Sequence, residues 1–277
     1  MKILKTIIFL SILFIFSCNK VDNPLKPIDD STCGDENGIL PIRKILVEDY
    51  TAHKCVFCPL AADKLEEIKD KYCDHIIPIS VHVGHLAEPD DDYPEDYRST
   101  VGNELDGYYN ISASLPKGLI NRTEYEGSTI LSPNSWEDYI NTLYGTKPQV
   151  NISIESSFNE VTKKITANIS AEYLSDINYN MNIGLYVTED SIIGPQKFVG
   201  DPHVIENYVN RHVLRKGVNG AFGENFVSSA KFGQIIEKTF IFEANEVWNI
   251  NHCELVAFIS NTETKEILQA ESEPIIQ

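Results

Sequence analysis

The feature that most constrains this chain is an apolar run leading straight into two cysteines, Val47-Glu48-Asp49-Tyr50-Thr51-Ala52-His53-Lys54-Cys55-Val56-Phe57-Cys58-Pro59. Ile45, Leu46 and Val47 read as a short buried strand, and the His-Lys segment reads as a turn. From Pro59, the residues Leu60, Ala61, Leu65, Ile68 and Tyr72 share one helical face, so Cys55 is expected at a helix start. There the unpaired amides and the positive end of the helix dipole favour a thiolate, and Lys54 adds a cation beside it. Two-residue spacing lets the sulfurs meet, which suits Cys55 to attack and Cys58, one turn deeper, to resolve a mixed disulfide. Pro59 is harmless in a first turn, where no amide partner exists.

After this helix, His75 to Gly84 reads as a second strand, and Pro78 within it predicts a sheet edge. Strand, helix and strand at this spacing predict a parallel βαβ unit, which places His82 and His85 on the same rim as Cys55. The acidic run Glu88 to Glu95 reads as a solvated loop, and Thr100 to Tyr109 as a short helix. A Leu115-Pro116 turn then leads into a short strand, and a helix over Ser132 to Tyr144, with Trp136, Tyr139, Ile140 and Leu143 on one face, closes the first domain. From Pro148 the period changes to two, through Val150, Ile152, Ile154; Ile165, Ala167, Ile169; Ile183, Leu185, Val187; Phe240, Phe242; Val256, Phe258; and Ile267, Gln269. Six or seven such strands with polar turns predict an antiparallel sandwich of immunoglobulin-like type. The glycine-containing segment Ile193 to Gly233 is longer than a simple interstrand loop and is expected to dock onto the first domain or onto a partner.

The start of the chain speaks to destination. Lys2 and Lys5 precede the apolar run Ile7 to Phe16, which has the form of an export signal and is short for a membrane span. Ile15-Phe16-Ser17-Cys18 looks like a bacterial lipobox, which would make Cys18 the lipidated first residue; the alternative is an ordinary signal peptide cut nearby. A polar, proline-containing tether follows. The expected division is therefore 1–17 signal, 18–41 tether, 42–147 first domain and 148–277 sandwich. A net charge of -18, or -20 without Lys2 and Lys5, argues against nucleic acid as a partner. Export permits disulfides, and a strand-turn-helix hairpin would bring Cys33 and Cys73 to one edge, where a bridge is expected, although spacing leaves the connectivity open. Cys253 reads as a buried core thiol.

With these residues placed, the first domain resembles a thioredoxin fold. The Cys-x-x-Cys-Pro covers its first half, Leu115-Pro116 before a strand resembles the cis-proline loop that faces the cysteines, and Asp49, six residues before Cys55, falls where that fold keeps a buried proton-relaying carboxylate. The lipobox, the tether, Lys54-Cys55-Val56-Phe57-Cys58-Pro59-Leu60-Ala61-Ala62 and the later Asn210-Arg211-His212-Val213-Leu214-Arg215 together resemble the outer membrane protein 28 lipoproteins of Gram-negative bacteria. That resemblance implies attachment to the outer membrane through a lipid on Cys18, and a thioredoxin-like domain followed by a β-sandwich.

Three functional readings follow. In the first, Cys55 is nucleophile, Cys58 resolving thiol, Asp49 proton relay and Pro116 part of the substrate platform, in an oxidoreductase acting on protein thiols or disulfides without a cofactor. In the second, the Cys55–Cys58 bond is structural and the sandwich is a surface binding or adhesion module. The third joins Cys55, Cys58, His82 and His85 in a zinc or copper(I) set; the long interval to His82 weighs against it, and no metal is expected. His53 reads as an exposed turn residue, and His203 and His212 as structural residues without identifiable partners.

Overall fold

A computed structural model describes residues 41–276. The signal segment, Cys18, nearly all of the tether and Cys33 lie outside the described residues. Cys73 is disulfide-bonded, and Cys33, the partner expected for it, is not among the residues described.

The first half runs β1 (Ile45–Thr51), α1 (Cys58–Tyr72), β2 (Ile76–His82), α2 (Thr100–Tyr109), β3 (Lys117–Ile120) and α3 (Trp136–Leu143). Strand β1 is buried throughout and lies between parallel β2 and antiparallel β3. Its side chains alternate between two cores, as the two-residue strand period requires. Ile45 and Val47 pack on Ala61, Leu65 and Ile68 of α1 and on Trp136 of α3. Leu46 and Tyr50 face the other way, onto Leu105 of α2. Helix α2 is capped by Ser99, whose hydroxyl accepts from the Gly102 amide at 3.0 Å. Gly118 of β3 gives Trp136 its place: a Cβ there would stand 2.7 Å from the indole.

The second half contributes β4 (Val150–Asn159), β5 (Lys164–Tyr173), β6 (Met181–Glu189), β7 (Ile192–Lys197), β8 (Val204–Asn210), β9 (Val213–Gly217), β10 (Glu224–Val227), β11 (Ile235–Glu243), β12 (Cys253–Asn261) and β13 (Ile267–Pro274). The protein is thus a mixed α/β chain that is mostly strand. A three-stranded sheet, β11-β5-β4, faces β6, β12 and β13 across a core of alternating residues that includes Ile152, Ile169, Leu185, Leu255 and Cys253.

The larger sheet crosses position 148. Its order is β13-β12-β6-β9-β2-β1-β3, with β10 also on β6. Strand β9 is the link, antiparallel to β6 and meeting β2 in parallel at Ser80 and Val213, where the Ser80 amide donates to His212 O at 2.8 Å. Strand β2 is therefore not the sheet edge that Pro78 predicted. Because Ser80 points its amide toward β9, Pro78, two residues earlier, points its missing donor the same way, and the ladder to β1 loses nothing. The segment Ile193 to Gly233 is no loop either; it holds most of β7 together with β8, β9 and β10, and it docks onto the first half.

A buried ion pair reinforces the junction. Arg122 grips Glu48 of β1 with two hydrogen bonds, Nε to Oε2 at 2.9 Å and Nη2 to Oε1 at 2.7 Å. The same guanidinium donates to Tyr186 Oη of β6 at 2.9 Å and to Ala221 O at 3.2 Å. Both charged side chains are excluded from solvent. Such a bidentate, fully bonded pair is tolerated in a core, whereas either partner alone is not.

Candidate redox site

Strand β1 delivers the chain to the cysteines. Past Thr51, the Cys55 amide donates to Ala52 O at 3.0 Å and the Cys58 amide to Cys55 O at 3.3 Å, closing two successive turns. Helix α1 then opens at Cys58 itself, with Pro59 in its first turn. Cys55 thus stands three residues ahead of the helix, not at its start, because the chain needs both turns to reverse out of β1. Cys55 and Cys58 are joined in a disulfide with their Cα atoms 5.4 Å apart. They are 4% and 1% exposed and pack with Ala52, Ala87, Leu86 and Leu115. The Leu115–Pro116 peptide is cis, and Leu115 lies against the cysteine cluster. Around the pair, Val56, Phe57 and Leu60 leave an apolar rim in solvent.

Beside Cys58 is a cavity of about 240 Å³, lined among others by Asp49, Cys58, His82, Gln196, Tyr208 and His212. Asp49 is buried, and neither carboxyl oxygen has a hydrogen-bond partner. Burial alone pushes its pKa up to about 8, so at neutral pH the group is mostly a neutral acid. His82 moves the opposite way, down to about 3, through burial first and then the charges of His53 and Arg215; a hydrogen bond from its ring to the Asn210 side chain opposes the shift. It is therefore a neutral imidazole. Burial also raises the Tyr208 phenol.

Other histidines depart from expectation. His53 is buried, its ring stacked on Tyr93 at 5.4 Å and edge-on to Tyr97 at 5.8 Å, with Nε2 3.2 Å from Glu88 O. Burial, ahead of the neighbouring Lys54 charge, lowers its pKa despite that backbone contact. The acidic run is correspondingly more than a solvated loop: its carboxylates face water, but Tyr93 and Tyr97 fold inward over His53, and Asp90 pairs with Lys54 at 2.8 Å. His85 is exposed while His82 is buried, so the two do not share a rim, and no cluster of three or more metal-ligating side chains occurs among the described residues. His212 has partners after all, Glu66 Oε1 of α1 at 3.2 Å and Asp190 Oδ2 at 3.5 Å.

The segment after β6 supplies what sequence reasoning missed. The buried Gln196 side chain of β7 donates from Nε2 to Cys55 O at 3.1 Å and Ala52 O at 3.3 Å. The Lys197 amide donates to His53 O at 2.8 Å and the Val199 amide to Val56 O at 2.9 Å. Tyr208 and His212 close the cavity from the same segment. About 140 residues separate these groups from the cysteines, and the only local signal was the length and glycine content of the insertion.

The family profile described as "Outer membrane protein Omp28" matches residues 102–276, well over half of the chain. The chain belongs to the Omp28 family. Its place is accordingly the outer membrane, and no described helix of this Omp28-family chain is long and apolar enough to cross one. No curated protein sequence matches it. Among solved structures it is similar to HBP35 of Porphyromonas gingivalis, at 16% identity and a TM-score of 0.60 over 84% of this chain and 76% of that one. A structural-genomics protein of Agrobacterium tumefaciens is similar at 14% identity and a TM-score of 0.52, over 86% and 97% of the two chains. A domain of the outer membrane lipoprotein Omp28 from Porphyromonas gingivalis matches 47% of this chain and 90% of its own length, at 20% identity and a TM-score of 0.31. The first two likenesses, at these identities, speak to the fold.

Proposed function

We propose that this Omp28-family protein carries out thiol-disulfide exchange on exported proteins, from a thioredoxin-like first half (42–147) anchored to the outer membrane by a lipid on Cys18. The observation that carries this reading is the buried Asp49 carboxyl, without a hydrogen-bond partner and in the same cavity as Cys58, where burial raises its pKa to about 8. A structural disulfide has no use for a buried acid held at the threshold of ionisation; a resolving cysteine does.

In the oxidised form, a donor thiolate attacks Cys55 Sγ. The Cys55–Cys58 bond breaks, Cys58 leaves as thiolate, and it takes the proton of Asp49. The donor's second thiolate then attacks the mixed disulfide and departs as a disulfide, leaving Cys55 reduced; two electrons have passed from donor to protein. Run in reverse, Asp49 carboxylate takes the proton of Cys58 as that thiol displaces a reduced substrate. Leu115-Pro116, against the pair, forms the platform for the incoming chain, and the apolar rim of Val56, Phe57 and Leu60 suits an extended apolar segment. The second half (148–277) is read as an immunoglobulin-like sandwich that presents this site; its two facing sheets support that reading.

One observation favours the alternative, a binding lipoprotein with a structural bond: Cys55 is 4% exposed. Redox titration of the mature chain separates the two, with Cys55 and Cys58 followed by alkylation and mass spectrometry. A reversible midpoint between about -270 and -120 mV supports exchange, and a bond still closed well below about -300 mV refutes it.

A further inference from the structure

The redox loop is held from outside. The carbonyls of Ala52, His53, Cys55 and Val56 all accept hydrogen bonds from one short stretch of the second half, residues 196–199. Two of these bonds come from the buried Gln196 amide and two from backbone amides of Lys197 and Val199. The stretch is itself fixed, since Gln196 pairs with Ile205 across the β7–β8 hairpin. On the loop's other side, the Lys54 amide donates to Leu86 O at 3.2 Å. The segment carrying the cysteines is thus clamped at nearly every peptide between Ala52 and Val56.

We propose that Gln196 and the strap 196–199 are positioning elements that lower the reduction potential of the Cys55–Cys58 pair by holding its loop in the closed geometry. The inference rests on the exchange activity proposed above. The physical ground is loop entropy. Closing a disulfide removes freedom from the segment between the cysteines, and that loss opposes closure in a loose loop. A loop already pinned in the closed conformation has less freedom to lose. The strap therefore raises the effective concentration of one thiol at the other, and the closed form is favoured. Gln196 acts through the Cys55 carbonyl, to which its amide donates.

The test is the redox equilibrium of the mature chain in dithiothreitol and glutathione buffers, scored by alkylation. Two variants cut different bonds: Gln196→Met removes the amide donor at similar length, and Val199→Pro removes the backbone donor to Val56. Glu206→Ala, exposed on the same hairpin, is the control. Both strap variants are expected to shift the equilibrium about tenfold toward the dithiol, a rise of about 30 mV, while the control stays at the wild-type midpoint. Circular dichroism confirms that each variant is folded. A wild type with a reversible midpoint, and strap variants within twofold of it or shifted toward the disulfide, overturns the inference and leaves the exchange reading standing. A wild type with no reversible midpoint overturns both.

Discussion

Replacing Asp49 by asparagine tests the protonation state of the site directly. The carboxyl has a pKa near 3.8 when solvated and about 8 in the folded protein. Between those values the native state holds a proton that the unfolded state has released. Stability from this group is therefore fully present below about pH 4 and is lost as pH rises toward 8. The loss is about 1.4 kcal/mol for each pH unit, so roughly 3 to 4 kcal/mol between pH 4.5 and 7. Asparagine has nearly the shape of the neutral acid and does not titrate. Its own unsatisfied amide adds a cost that is the same at both pH values, and all other titrating groups, the depressed His82 included, are common to the two proteins. The stability gained by Asp49→Asn should accordingly grow by roughly 3 to 4 kcal/mol from pH 4.5 to pH 7. Urea unfolding curves of both proteins, taken with the disulfide closed, measure that difference. A gap that is constant across this range, or one that narrows, would refute a neutral buried Asp49 and with it the proton relay.

Three further outcomes follow from the packing and the chemistry. Arg122→Met should lower the unfolding free energy by about 3 to 5 kcal/mol by leaving Glu48 charged and unpaired, whereas adding Glu48→Leu should recover most of it; denaturant midpoints of the single and double variants decide. Gly118→Val would drive a branched side chain into Trp136 and should cost about 1 to 3 kcal/mol, read as a lowered Tm; a Tm equal to wild type would mean the strand can shift where the packing says it cannot. Cys58→Ser leaves Cys55 without its resolving thiol and should accumulate mixed disulfides with exported proteins, visible as reductant-sensitive adducts on gels. Cys55→Ser should accumulate none, and equal adducts from both would contradict the assigned roles.

Much of the fold was legible wherever burial imposes a period. Strand β1, helix α1 and strand β2 follow from Ile45 to Ile79, and β4, β5, β6, β11, β12 and β13 follow from their alternating apolar positions, because each element must bury one face. The family likeness was legible too, through the Cys-x-x-Cys-Pro run and the residues around His212. Three things were not. Strand β9 is five residues long and meets β2 at a single pair, so nothing local announces that it joins the halves. His53 looked exposed because its cover, Tyr93 and Tyr97, lies within and just after an acidic run whose charge masks two inward aromatics. Gln196 is an unremarked polar residue in its own strand and acquires meaning only against a loop about 140 positions earlier.

The shared sheet also has a consequence for how the protein can work at a membrane. With β9 hydrogen-bonded to both β6 and β2, and Arg122 spanning the same seam, there is no joint between the part that carries the cysteines and the part that carries the sandwich. Anything gripped by the sandwich is held at a set distance and angle from the disulfide, as work is held in a jig. On the exchange reading proposed above, selection among substrates then comes from the shape of one rigid body.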